Sequence, residues 1–176
     1  LPAPVDIVSN TIVGPTLGQD SLQKSLYAGL FGLGAVALYM LIIYKFRGFA
    51  ALISLIIYLL FSFSLLKLLG ATLTLPGIAG FILTIGMAVD ANVIIFERIK
   101  EQLKKDDDLS LAIKLGFKRG IKTILDANIT TLLAAGILFW LGTGSIRGFA
   151  ITLSLGILVS MFSAIMLTRY FIDFRK

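Results

Sequence analysis

Apolar residues fill this chain in long unbroken runs, not in the narrow stripes of a soluble fold. Five runs are each long enough for a helix that crosses the hydrocarbon core of a bilayer, which takes about 20 residues. They cover about residues 26–44, 48–66, 75–96, 124–141 and 148–171. Pro76 sits in the first turn of the third run, where the amide it lacks has no helical partner to lose. The pattern predicts an all-α fold: a polytopic membrane helix bundle with five transmembrane spans, formed by residues 25–176. Residues 1–24 are polar and turn-rich, with prolines at 2, 4 and 15. They read as a short extended linker, the tail of a domain on the outer side of the membrane.

The polar connection of residues 97–123 interrupts the apolar pattern. The third span continues out of the membrane as FERIKEQLKK, with acidic and basic residues at helix-neighbour spacing. Asp106, Asp107 and Asp108 break it, and Asp108 or Ser110 caps the next helical stretch. Leu109, Ile113, Phe117 and Ile121 then recur every four residues beside Lys114, Lys118 and Lys122. This predicts a separate helix lying in the membrane interface; the alternative is an ordinary positive loop that sets the topology.

Composition agrees with the pattern: 57% of residues are apolar and 15% charged, and mean hydropathy is +0.96. Soluble domains are about 25% charged. There is neither cysteine nor histidine, so zinc, haem, thiol and imidazole chemistry are excluded; no metal and no cofactor are expected. The net charge of +6 is spread between apolar runs, not gathered on one face, which argues against a nucleic-acid partner. Position is more informative than sum. Of the 16 basic residues, thirteen fall on one side: Lys45, Arg47, eight in the long connection, Arg169, Arg175 and Lys176. Lys24, Lys67 and Arg147 fall on the other. The side rich in lysine and arginine is cytoplasmic, so the chain is expected to start outside and end in the cytoplasm.

Within the spans, Asp90 is the most informative residue. It lies in GMAVDANVIIF, eight positions from Arg98 and so roughly 12 Å from it along a helix. A carboxylate at such depth costs at least about 2.5–3.5 kcal/mol, and protonation removes most of that cost. A carboxyl there is suited to binding and releasing a proton; the alternative is a structural hydrogen bond between helices. Asn92 points to a different part of the same helix and is read chiefly as an interhelical hydrogen-bonding residue. Asp126, with Asn128, Thr130 and Thr131 near it, opens the fourth span. Helices three and four run in opposite directions, so Asp90 and Asp126 are expected to line one cytoplasmic-side polar cavity; the alternative places Asp126, one turn after Lys122, at the headgroup level facing water. Gly77, Gly80, Thr84, Ala88 and Ala91 are placed on or near the Asp90 side of helix three, and Gly29, Gly32 and Gly34 on helix one, as small residues for close packing.

Two active mechanisms use intramembrane carboxylates. An aspartyl protease needs a pair on adjacent spans sharing a proton, but Val89-Asp90 and Leu125-Asp126 do not match the sequences around such pairs. Proton-coupled transport needs only one titrating carboxylate and a bundle that moves.

The runs GATLTLPGIAGFILTIGMAVDANVIIFERIKEQL and TILDANITTLLAAGILFWLGTGSIRGFAITLSLGILVSMF closely resemble the SecD/SecF family of bacterial protein-export membrane proteins, within the resistance–nodulation–division superfamily. VGPTLGQDS is similar to the stretch joining the large periplasmic domain of SecD-type members to their second span. The resemblance implies the last five spans of a six-span unit in the inner membrane, and no enzymatic activity. It implies SecF, the SecYEG channel and a translocating unfolded polypeptide as partners, besides membrane lipid, with export driven by the proton-motive force. By the same resemblance Asp90 is the intramembrane proton site and Asp126 and Asn128 belong to a second polar motif. The resemblance also implies that Arg147 and Gly148 belong to an outer turn motif, while Asn92, read from the residues alone, has a lesser place on the proton path. An exporter of small molecules or lipids from the same superfamily is the alternative.

Overall fold

The computed structural model describes residues 15–71, 74–105 and 108–173. It is helical throughout, with four elements: α1 (Pro15–Leu68), α2 (Leu75–Leu103), α3 (Leu109–Leu141) and α4 (Ser145–Asp173). Five segments are long and apolar enough to span a membrane, because α1 holds two of them, Asp20–Lys45 and Arg47–Leu68.

The two limbs of α1 meet at Lys45, whose φ of 48° and ψ of −117° break the helix without a loop. Gly48 sits immediately beyond, where a Cβ would collide with the Met40 carbonyl, so the tight return needs a residue with no side chain. The second limb ends at Gly70, with φ of 60°, where amides of Gly70 and Ala71 bond back to Lys67 and Leu66 carbonyls.

Two expected boundaries differ. The helix already begins at Pro15, so residues 15–24 continue the first span instead of forming an extended linker; residues 1–14 lie outside the described residues. The fourth span and the connection before it are one helix, α3, so there is no separate interfacial helix. Asp108 caps it, its carboxylate accepting from the Ser110 amide at 2.9 Å; Asp106 and Asp107 lie outside the described residues. The apolar repeat of Ile113, Phe117 and Ile121 faces α2, not lipid, and joins Ile95, Ile99 and Ile124 in a core at the basic end. Gly116 and Gly120 make that contact possible: a Cβ on Gly116 would lie 2.6 Å from Ile99 Cα, and one on Gly120 3.2 Å from Ile95 Cα. The end of α2 and the start of α3 therefore form a packed hairpin at the basic end of the bundle.

α2 and α4 form the centre of the bundle; α1 and α3 each pack on both, and among the described residues do not meet each other. The α2–α4 crossing is close because glycines and small polar residues interleave. A Cβ on Gly80 would lie 2.7 Å from Thr152 Oγ1, and one on Gly156 2.5 Å from Thr84 Oγ1. Gly77, Gly80 and Thr84 of α2 thus face α4 and not the Asp90 side, while Ala91 joins the core shared with α3, next to Asp90. Gly32 and Gly34 have nothing within 4 Å of a Cβ, so they make no close contact among the described residues. The second limb of α1 is tied in by Tyr58, which donates to Thr84 Oγ1 at 2.8 Å, and by Ser163 of α4 donating to the Ser54 carbonyl at 2.9 Å. Most remaining surface of the spans is apolar, as contact with lipid requires.

Candidate functional site

Asp90 lies inside α2, roughly 22 Å along the helix from Leu75. The buried face of α2 runs through Thr84, Ala88, Ala91, Asn92 and Ile95, and Asp90 is turned away from it and exposed. Among the described residues it has no hydrogen bond and no ion pair; the two ion pairs there, Arg98–Glu101 and Lys100–Glu97, belong to the extension of α2.

A cleft of about 160 Å³ opens beside Asp90 between α2 and α3, lined by Met87, Asp90, Ala91 and Ile94 on one side and Ile124, Ala127 and Asn128 on the other. Asn128 is 8% exposed. Its amide has no partner among the described residues, so its polar atoms are free to serve water in the cleft. Roughly 20 Å of α3 separates Asn128 from Leu141, a depth matching that of Asp90. The cleft is thus lined by a carboxyl from α2 and an amide from α3, with room for several water molecules.

The structure corrects the expected pairing. Asp126 does not line this cleft; it is exposed elsewhere on α3. Residues two apart on a helix point about 200° apart, so a helix that turns Asn128 toward α2 turns Asp126 away. The aspartate pair a protease would use is not assembled. Asn92 is 3% exposed and its amide donates to the Ala88 carbonyl at 3.4 Å, which places it in the helix packing, outside the cleft lining. Arg147 and Gly148 act at the opposite end of the bundle. Arg147 Nε donates to the Gly142 carbonyl at 2.8 Å and closes the α3–α4 turn. A Cβ on Gly148 would lie 2.5 Å from Thr74 Oγ1. Thr74 caps α2 by accepting from the Gly77 amide at 3.1 Å, and its hydroxyl reaches the Ser145 carbonyl at 3.4 Å. The side chain of Arg169 lies outside the described residues.

Reading the sequence missed Met87, Ile94 and Ala127 as cleft walls. A signal existed: Gly116, Gly120, Ile124 and Asn128 recur every four residues, and small residues at that spacing mark the contact side of a membrane helix.

Comparison with known proteins agrees with this architecture. A family model described as protein export membrane protein SecD/SecF, C-terminal, matches residues 3–174. The protein translocase subunit SecD of Desulfurispirillum indicum is 57% identical over 169 residues, covering 96% of this chain and 33% of that protein. That of Acidaminococcus fermentans is 53% identical over 170 residues, covering 97% and 41%. The crystal structure of SecDF from Thermus thermophilus, described as a translocon-associated membrane protein, superposes with a TM-score of 0.88 at 44% identity, over 92% of this chain and 22% of that one. SecDF in its super-membrane-facing form gives 0.85 at the same identity. The chain spans one third to two fifths of the length of these curated relatives. With the family match running almost end to end and the bundle superposing on a solved member, the chain belongs to the SecD/SecF family of protein-export membrane proteins.

Proposed function

We propose that this chain is the C-terminal membrane part of a proton-motive-force-coupled auxiliary subunit of Sec protein export, which assists late translocation and release of secreted polypeptides. The observation that carries the reading is Asp90: an exposed carboxyl deep in a span, unpaired among the described residues and bordering a cleft with Asn128. A carboxyl serving only to hold helices together would have a partner here. Protonation from the cleft changes its charge and with it the helix contacts the bundle prefers. A proton moving down the membrane potential supplies about 2.3 kcal/mol per 100 mV, enough to bias a two-state element several-fold.

The distribution of lysine and arginine supports a start on the periplasmic side of the inner membrane and a cytoplasmic C-terminus. The exposed Asp90 face supports a partner bundle, SecF, supplying the opposing charge, and the relatives' names support work beside the SecYEG channel. Asp126 and Asn92 keep secondary places on the path, since neither lines the cleft. The test is proton-gradient-dependent release of an exported protein from vesicles carrying the full-length subunit and SecF with Asp90→Asn. Loss of the gradient-dependent step with normal assembly supports the reading. Unchanged release reduces Asp90 to a packing residue.

A further inference from the structure

Counting about 20 residues back from Leu141, where α3 leaves the membrane at one end, places the other hydrocarbon boundary near Lys122. Exposed Trp140 and Lys122 fit those two boundaries. On the far side of Lys122, α3 continues for another three turns against the extension of α2, and the two arms of that hairpin differ in charge. On α2, Arg98 is paired with Glu101 at 2.9 Å and Lys100 with Glu97 at 3.5 Å, and two further exposed cations, Lys104 and Lys105, stand at the tip of the hairpin, farthest from the boundary at Lys122. On α3, Lys114, Lys118, Arg119 and Lys122 are exposed, residues 109–125 contain no acidic residue, and none of the four cations has an ion pair among the described residues.

Their direction is fixed by the packing. Gly116, Phe117, Gly120 and Ile124 face α2, so Lys118, Arg119 and Lys122 project from the outward side. The same side continues into the membrane as an exposed apolar track of Ile129, Leu133 and Ile137. Cations at the boundary above an apolar track match the two halves of a phospholipid. Asp126 lies one turn below Lys122 on this side, and the three cations above it leave the face net positive.

We propose that the outward face of α3 is a binding site for anionic phospholipid, with the headgroup phosphate held by Lys118, Arg119 and Lys122 and an acyl chain lying along Ile129 and Leu133. Charge complementarity selects an anionic over a zwitterionic headgroup, and the apolar track selects a lipid over a soluble anion. The site is separate from the Asp90 cleft, which lies on the α2-facing side of α3.

The experiment uses the full-length protein in nanodiscs containing phosphatidylglycerol and phosphatidylcholine, each in turn carrying a photoreactive acyl chain. The phosphatidylglycerol probe is expected to label the peptide of residues 126–137, with far less labelling from the phosphatidylcholine probe. Millimolar inorganic phosphate is expected to leave the labelling intact. Lys118→Gln with Arg119→Gln and Lys122→Gln should lower the affinity about fivefold per charge removed, while Arg98→Gln with Lys100→Gln, on the α2 arm, should not. Equal labelling by both probes in the wild-type protein overturns the proposal whether or not the variants insert correctly. So does displacement by inorganic phosphate, or an equal loss from the α2-arm variant.

Discussion

Gly156 of α4 lies against Thr84 of α2 so closely that a Cβ on it would meet Thr84 Oγ1 at 2.5 Å and Thr84 Cβ and Cγ2 at 2.6 Å. Thr84 cannot swing aside, because its hydroxyl donates to the Phe81 carbonyl and accepts from Tyr58, both at 2.8 Å. Helices α1, α2 and α4 are thus joined at a single buried hydroxyl. Their crossing distance is set by a residue with no side chain.

Gly156→Ala is therefore expected to destabilise the bundle by about 1–3 kcal/mol, the range for overpacking a filled core. Gly136→Ala is the control, since a Cβ there meets nothing within 4 Å and alanine is the better helix former. Unfolding of the full-length protein in detergent measures both. Equal stability of the two variants would show that the crossing relaxes freely.

Tyr58→Phe removes only the hydroxyl from this junction, and Thr84 keeps its bond to Phe81. Hydrogen bonds between membrane helices contribute about 0.6 kcal/mol on average and at most about 1.7. The expected loss is in that range, well below that of Gly156→Ala. A loss as large as the glycine variant's would mean that the aromatic ring had also shifted.

The hairpin at the basic end gives a graded test. A Cβ on Gly116 would strike backbone, with Ile99 Cα at 2.6 Å and Ile99 N at 2.7 Å, while on Gly120 it would lie 3.2 Å from Ile95 Cα and its Cγ1. Backbone cannot rotate out of the way, whereas a few tenths of an ångström relieve the second contact. Gly116→Ala is expected to loosen the hairpin, read as faster amide exchange in residues 109–121, and Gly120→Ala to do so less. The reverse order would place the closest approach of α2 and α3 nearer the membrane.

These contacts also explain why some features were legible in the sequence and others were not. Five spans were legible because run length alone decides whether a helix can cross a bilayer, and the basic end was legible from the lysines and arginines. The unity of α3 was not. An apolar repeat flanked by lysines reads as a helix on a membrane surface, but the same face suits a neighbouring helix, and only the geometry of Gly116 on Ile99 shows which it meets. The position of Asp90 in its span was legible, and its cleft partner was not. Asp126 and Asn128 stand at nearly equal depth, and the choice between them is a rotation of about 200°, set by where Gly116, Gly120 and Ile124 pack. Ala91 does lie beside Asp90 as expected, but Gly77, Gly80 and Thr84 meet α4 instead, because spacing reveals that residues share a face without revealing what that face meets.

If the cleft brings water and protons to Asp90, filling it should act like removing the carboxyl while leaving Asp90 in place. Ala127 lines the cleft and is exposed, so Ala127→Leu adds apolar volume there without displacing a buried neighbour. Stability is expected to change by less than about 0.5 kcal/mol, as for surface substitutions generally. Gradient-dependent release from vesicles with the full-length subunit is expected to fall several-fold, short of the complete loss expected of Asp90→Asn. The two variants separate the route from the destination. Wild-type release with Ala127→Leu, alongside loss with Asp90→Asn, would mean that protons reach Asp90 across the outward face of α2. The access path would then lie between this chain and the partner bundle proposed to cover that face.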